Sequence, residues 1–424
     1  MRRALLAAIS ALITLAAWAQ PFNTQEEVMA NIDLAGGTYS LYPTGQPSPA
    51  RPPKGYKPFY LTHMGRHGAR YVASSTTYER VWTALDSAHR QGNLTPEGEK
   101  IYKAYAGILP NLRHREGVLT KKGQAQHRQI ASQIYRDFPA LFKGKTKAQA
   151  LSTTSHRVLL SMMCFLDQMK QMDPDFTFEA DYGYRYYPVL VPESHNNPAF
   201  VERAPFPEDV LKAYDSFAAE VLDEDALLRR WFLDPEKMGS ARESFIYRIS
   251  RIVSDFSNLD FPVSDTLRTI LTDDERYRMW QIQNYSDYIY TSRAPGIDQR
   301  RCLEMSVTVK DIIDRFDDDL RDGVAMRLRF SHDTAMMPLL SYLGVNGKDV
   351  SEADPRKLEN LWRNFDICMA CNFQMVFFRN KKNPDDILVQ VLLNGFQATL
   401  PLPEAAPGFY HWSDFKEKFN HLEI

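Results

Sequence analysis

The chain has 424 residues, of which 51 are basic and 53 acidic, for a net charge of −2, and 44% of its residues are hydrophobic. This balance excludes a polybasic nucleic-acid binder, so any positive field for an anionic ligand has to be local. Four cysteines, Cys164, Cys302, Cys368 and Cys371, exclude a disulfide-dense scaffold and read as buried thiols or one incidental disulfide. Cys368 and Cys371 have a redox-motif spacing but lead into a strand rather than opening a helix, which argues against a thioredoxin-like role.

In chain order, Met1-Arg2-Arg3 precedes an apolar segment closing on Ala17-Trp18-Ala19, the pattern of an export signal. Cleavage is expected after Ala19, which predicts a periplasmic or secreted protein. The segment falls short of the roughly 20 apolar residues of a membrane span, no later run reaches that length, and no cysteine follows for a lipid anchor. Residues 47–58 are proline-rich and read as an extended lead-in to a first strand at 59–62.

Directly after that strand, Arg66-His67-Gly68-Ala69-Arg70 sets two guanidinium groups and a histidine around a glycine. A strand ending in such a turn presents side chains at the carboxyl edge of an open α/β sheet, where ligands bind. Arg66 and Arg70 offer forked donors for phosphate oxygens, and His67 offers a ring nitrogen able to attack phosphorus. Gly68 is expected to let an anion approach the backbone closely. His63 and His67 have a metal-ligand spacing on a helix, but the strand-like Tyr60-Leu61-Thr62 argues against a helix, and no metal is assigned.

A helix is predicted over 119–142 and a strand over 150–153. Ser152-Thr153-Thr154-Ser155-His156-Arg157 then leads into a helix over 158–172, bringing Arg157 as a third guanidinium, and a further strand is predicted at 176–182. Arg113-His114-Arg115, Lys121-Lys122 and Arg185 are candidate rim cations, equally readable as solvated surface. From 197 to 320 the character changes. Segments 207–221, 225–233, 240–257 and 273–290 are charged and aromatic at helical spacing with almost no strand-like alternation. Trp231, Tyr277, Trp280, Tyr285, Tyr288 and Tyr290 read as the core of that helical layer. Strand patterns resume at 326–330, followed by Ser331-His332-Asp333-Thr334, a helix over 335–343 with Asp333 or Thr334 as its cap, and a stop at Gly344.

The alternation predicts an α/β sheet flanked by helices with an inserted α-helical cap: 1–19 as signal, 20–196 and 325–424 as core, 197–324 as cap. The polar segments supply a complete set of roles. His67 is the nucleophile, Arg66, Arg70, Arg157 and His332 bind the phosphoryl group, and Asp333 protonates the leaving oxygen.

Arg66 to Tyr71 together with His332-Asp333 resembles the signature pair of the histidine acid phosphatases, the branch of the histidine phosphatase superfamily that includes phytases. Gly117-Val118-Leu119-Thr120-Lys121-Lys122-Gly123 with Gln126-His127-Arg128, and Ser152 through Arg157 to Ser161, are similar to further segments of that family. Residues 369–402 resemble the C-terminal strands of multiple inositol polyphosphate phosphatases. One departure is His332-Asp333-Thr334 where those phosphatases carry His-Ala-Glu; acid phosphatases and many bacterial phytases have the form seen here.

The resemblance implies a phosphatase-like fold, a phosphohistidine at His67, and phosphate held by Arg66, Arg70, Arg157 and His332. The expected protein is an exported phosphomonoesterase acting on a small phosphorylated substrate, inositol polyphosphates first and sugar or aryl phosphates as the alternative. No cofactor and no nucleic acid are expected, and the chain is expected to be a monomer. Phosphoglycerate-mutase-like enzymes share the Arg-His-Gly motif, but the export signal and His332-Asp333 argue against them. A non-catalytic phospholigand binder has no use for His67 and Asp333 together.

Overall fold

The computed structural model describes residues 23–423 apart from 46–47, 75, 198, 201 and 203. The predicted export signal therefore lies outside the described residues. Nine strands form one sheet: β1 (Tyr56–Arg66), β2 (Lys147–Ser152), β3 (Thr177–Tyr182), β4 (Val324–Ser331), β5 (Asn372–Asn380), β6 (Ile387–Leu393), β7 (Phe396–Gln397), β8 (Glu404–Ala406) and β9 (Phe409–His411). Their order is β3-β2-β4-β1-β5-β6-β9-β8, with β7 beside β6. β3, β2, β4 and β1 run parallel, and β5 pairs antiparallel on the free edge of β1.

β1 is longer than its apolar run suggested. His63 to Arg66 stay in register with Leu328 to Ser331 of β4, and Gly65 pairs with Asn372 on the other side. Both edges are satisfied by hydrogen bonds, so polar residues are held in extended form up to Arg66.

Period-2 alternation assigns the two faces. Toward one, Tyr60 meets Phe316 edge-on at 5.4 Å, on the helix Met305–Arg321. Toward the other, the His63 ring lies 5.4 Å from Phe165 on the helix His156–Met172, which packs beside Lys121–Asp137. The sheet is thus covered by helices on both faces. In β4 the alternate positions 327 and 329 do not face water. Arg327 pairs with Asp319, and Arg329 pairs with Asp311 at 2.6 Å and donates to Thr62 at 2.8 Å.

Between Tyr182 and Val324 every described regular element is helical. A second apolar core joins helices Thr77–Arg90 and Pro96–Leu112, which the pattern reading missed, to Glu224–Trp231 and Arg242–Asp255 through Leu85, Tyr105, Trp231, Phe245 and Ile249. Trp280 and Tyr277 pack with Phe365 in a third cluster, whereas Tyr285 and Tyr288 join the sheet-side core. Tyr290 is 46% exposed and carries Arg301 over its ring. All four cysteines are free and buried. Among the described residues no helix is long and apolar enough to cross a membrane.

Candidate active site

β1, β4 and β2 lie side by side in the parallel half, and each ends at the same edge in a polar turn. Arg66 closes β1. Its N–H donates to the Cys371 carbonyl at 2.8 Å, His67 N–H to Ser331 at 3.1 Å, and Ala370 N–H to His67 at 2.9 Å. The turn that follows is held by Gly68 N–H donating to Ser161 Oγ (3.1 Å), Ala69 N–H to Gln126 Oε1 (2.8 Å), and Thr120 Oγ1 to the Ala69 carbonyl (3.0 Å).

Gly68 does not open the backbone to an anion as expected. A Cβ there would fall 2.5 Å from the Gly123 carbonyl oxygen, and one on Gly123 would fall 2.2 Å from the Ala69 oxygen. Both glycines serve close contact between the turn after β1 and the start of the helix Lys121–Asp137. Thr120 caps that helix by accepting from Gly123 N–H.

His67 is 1% exposed, and its Nδ1 is 2.9 Å from the Gly68 carbonyl. A carbonyl only accepts, so Nδ1 carries the proton and Nε2 keeps its lone pair. Burial, followed by the charges of Arg157, Arg66, Arg70 and His332, holds the imidazole neutral far below its usual range. The His332 ring stands 5.6 Å away, edge to face. His332 Nε2 is 3.2 Å from Thr153 Oγ1, and Nδ1 accepts from Arg157 at 3.4 Å. Burial, then Arg157, lowers its pKa to about 3.

Arg66 is fully buried. It donates to the Asp333 carboxylate at 2.7 Å, to the Ile367 carbonyl at 2.9 Å and to the Thr38 carbonyl. Asp333 is the first residue of its helix; His332 is the N-cap and makes no side-chain cap bond, so neither Asp333 nor Thr334 takes the predicted capping position. Burial raises the Asp333 pKa, but Arg66, then Arg70, His332 and Arg251, outweigh it and hold the carboxyl below the usual carboxylate range.

Arg70 donates to the Tyr71 carbonyl at 2.9 Å and lies 4.9 Å from the centre of the Tyr39 ring. Burial, then Arg70, lowers the Arg157 pKa to about 10, a cation crowded by cations. The Nε atoms of Arg66, Arg70 and Arg157 are buried without a hydrogen-bond partner among the described residues. Three guanidinium groups beside one carboxylate leave an excess of positive charge, which an anion relieves.

The rim candidates fare differently. Arg113 is paired with Glu79 at 2.6 Å and Arg185 with Asp181, so neither offers a free charge. Lys122 donates to the Ser257 carbonyl at 2.8 Å. Arg115 donates to the Tyr71 hydroxyl at 2.8 Å, next to Arg70. No cluster of three or more His, Cys, Asp or Glu side chains among the described residues is placed to hold a metal ion.

Pattern reading passed over Tyr39 and Asp255. Asp255 is 1% exposed, and burial lifts its pKa to about 8 despite Arg70. Neither stands in a local motif; only their packing against Arg70 marks them.

No protein-family model matches the chain, and no curated protein matches it by sequence. Its likeness is to solved structures. A Bifidobacterium longum multiple inositol polyphosphate phosphatase complexed with inositol hexasulfate superposes with a TM-score of 0.72 at 16% identity, over 90% of this chain and 96% of that one. The phytase from D. castellii gives 0.63 at 13% identity, over 91% and 84%. A Hafnia alvei phytase with myo-inositol hexakis sulphate gives 0.52 at 11%, over 88% and 98%. The chain therefore has the fold of these inositol polyphosphate phosphatase and phytase structures, a mixed sheet flanked by helices.

Proposed function

We propose that this chain is a phosphoric monoester hydrolase that works through a phosphohistidine at His67. The observation that carries this reading is the convergence of Arg66, Arg157, His332 and Asp333 on a buried, neutral His67 whose Nδ1 is already committed to Gly68. Arg66, Arg70, Arg157 and His332 hold the phosphate while Nε2 attacks phosphorus in line. The bond to the leaving oxygen breaks, and Asp333 delivers a proton to it. Water then attacks the phosphohistidine with Asp333 as base, releasing inorganic phosphate and restoring His67.

Without substrate, Arg66 keeps Asp333 ionised. A bound phosphate draws on the same guanidinium and loosens that hold. A monoester phosphate has its second pKa near about 6, so substrate arriving below it brings a proton that Asp333 can take up. The expected optimum is therefore acidic.

The substrate class proposed is inositol polyphosphates, supported by the inositol hexasulfate bound in the B. longum structure of the same fold. Residues 197–324, apart from the helix Met305–Arg321 that packs on a face of the sheet, are proposed as a cap over the sheet edge, and 1–19 as a cleaved signal placing the enzyme in the periplasm or outside the cell. No metal is needed for this cycle. Phosphate release from inositol hexakisphosphate and from an aryl phosphate, side by side at acidic pH with chelator present, tests the reading. Release from the inositol substrate supports it. Release from the aryl phosphate alone reassigns the chain as a broad acid phosphatase, and no release from either refutes the enzyme reading.

A further inference from the structure

Arg66 spends one end of its guanidinium group on the protein's own backbone. Nη1 donates to the carbonyl of Thr38 and, at 2.9 Å, to that of Ile367, while Nη2 reaches Asp333 at 2.7 Å and the buried Nε has no hydrogen-bond partner among the described residues. An arginine carries its five N–H donors in a rigid planar fork, so the two held at Nη1 fix the plane in which the rest can meet a ligand. The two carbonyls belong to separate 3-10 turns, Ile32–Tyr39 and Asn364–Ile367, far apart in sequence. The orientation of Arg66 therefore depends on whatever holds those turns together.

Asn364 stands between them. It is fully buried, and its amide lies against Gly37, the residue before Thr38: a Cβ on Gly37 would fall 2.8 Å from Nδ2 and 2.9 Å from Oδ1. Gly37 also has a φ of +57°, which other residues rarely adopt. The same amide is gripped by the helix Asp273–Thr291, one of the helices between Tyr182 and Val324. Trp280 Nε1 donates to Oδ1 at 2.8 Å, Nδ2 donates to the Asp287 carboxylate at 2.8 Å, and Asn364 N–H donates to Asn284 Oδ1 at 2.7 Å. Positions 280, 284 and 287 recur on one helical face. An indole N–H only donates and a carboxylate only accepts, so the side chain between them has to offer one acceptor and one donor, as a primary amide does.

Resting on the function proposed above, we infer that Asn364 is a positioning residue for Arg66: it fixes the Thr38 and Ile367 carbonyls relative to each other and to the helix Asp273–Thr291, and so sets the angle at which Arg66 meets the phosphate. The contacts run from the helix through the amide to Gly37 on one side and to the turn that ends at Ile367 on the other. Asn364 acts on the ligand only through Arg66, and its effect is read as affinity for phosphate.

The test is calorimetry with inorganic phosphate on the full chain, in which Kd reports the geometry of the folded site and loss of folded protein lowers only the apparent stoichiometry. Asn364→Ala removes donor and acceptor together and is expected to weaken phosphate at least about tenfold, the worth of one charge-assisted hydrogen bond from Arg66. The double variant Asn364→Asp with Asp287→Asn exchanges acceptor and donor between the two positions, keeps both bonds, and is expected to bring Kd back to within about threefold of wild type. An unchanged Kd in Asn364→Ala, whatever its Tm, overturns the inference and leaves Asn364 a support for the fold alone. Equal weakening in the alanine and double variants overturns it too. If Asn364→Ala does not fold, Trp280→Phe, which deletes one bond to the amide, decides: weakening of about threefold or more sustains the inference, and an unchanged Kd overturns it. Turnover of inositol hexakisphosphate by the wild type is followed separately. Phosphate bound without turnover fails the enzyme reading and leaves the Kd comparison to judge Asn364, and a wild type that binds no phosphate overturns both.

Discussion

Replacing Asp333 by asparagine probes the proton donor and the electrostatics of Arg66 together. Arg66 is fully buried, and its charge is met by the Asp333 carboxylate at 2.7 Å and by two carbonyl oxygens. Asparagine keeps an acceptor for Nη2 but removes the negative charge. The loss to folding is then the charged share of one hydrogen bond, about 1–2 kcal/mol, less than the roughly 3–5 kcal/mol of deleting one partner of a buried pair outright. The sign with pH follows from the direction of the shift. The native carboxyl is held below its unfolded value of about 3.9, so its stabilisation is present above that pH and is lost as pH falls through the native value. Wild type and Asp333→Asn therefore differ in urea midpoint at pH 7 and converge in acid. An amide cannot protonate the departing oxygen, so turnover of an alkyl phosphate falls by about 10²–10⁴, and that of a nitrophenyl phosphate, whose leaving group needs little protonation, falls far less. Equal losses on the two substrates, or none, refute Asp333 as the donor. A stability gap that persists unchanged into acid refutes the ion-pair account.

Three further outcomes are expected. His67→Ala abolishes turnover while calorimetry still detects inorganic phosphate, because three arginines remain; loss of phosphate binding alongside activity refutes the division of roles. Gly123→Ala drives a methyl group to 2.2 Å from the Ala69 carbonyl oxygen, backbone that cannot step aside, and destabilises by about 1–3 kcal/mol, read as a lowered Tm with loss of activity. An unchanged Tm refutes the packing argument. Burial lowers the pKa of both His63 and His127 to about 3, so over the window from their unfolded value near 6.5 down to about 3 the unfolded chain binds more protons, and stability falls as pH drops. Denaturant midpoints that stay flat between pH 6.5 and 4 contradict this, and a rise contradicts it more strongly.

The site was legible to the extent that its residues sit in short local motifs at strand ends. Arg66, His67, Arg70, Arg157, His332 and Asp333 each follow an apolar run, and the sheet order β2-β4-β1 brings those three runs side by side. Long-range packing was not legible in the same way. Gly68 looked like an opening for an anion because nothing nearby in sequence says that Gly123 occupies that space. The helix pair Thr77–Arg90 and Pro96–Leu112 went unread because its apolar face meets residues more than a hundred positions later, such as Trp231 and Phe245. Helix Met305–Arg321 looked continuous with the charged helices before it, yet Phe316 places it on the sheet against Tyr60 and Phe377. Tyr39 and Asp255 lie in unremarkable sequence and stand out only through their place beside Arg70.

The position of β1 has a consequence for how the chain is made. The strand that leads into His67 is among the first regular elements synthesised, but its neighbours, β4 and β5, begin at Val324 and Asn372. Until those residues emerge, Phe59, Tyr60 and Leu61 sit on a strand with both edges open, the form most prone to pair with another chain. Synthesis therefore passes through a long interval in which the nascent chain needs shielding. A product cut short before Asn372 keeps His67, Arg157 and Asp333, yet lacks the strand that covers the free edge of β1 from Tyr56 to Gly65, so it is expected to be inactive and sticky at once.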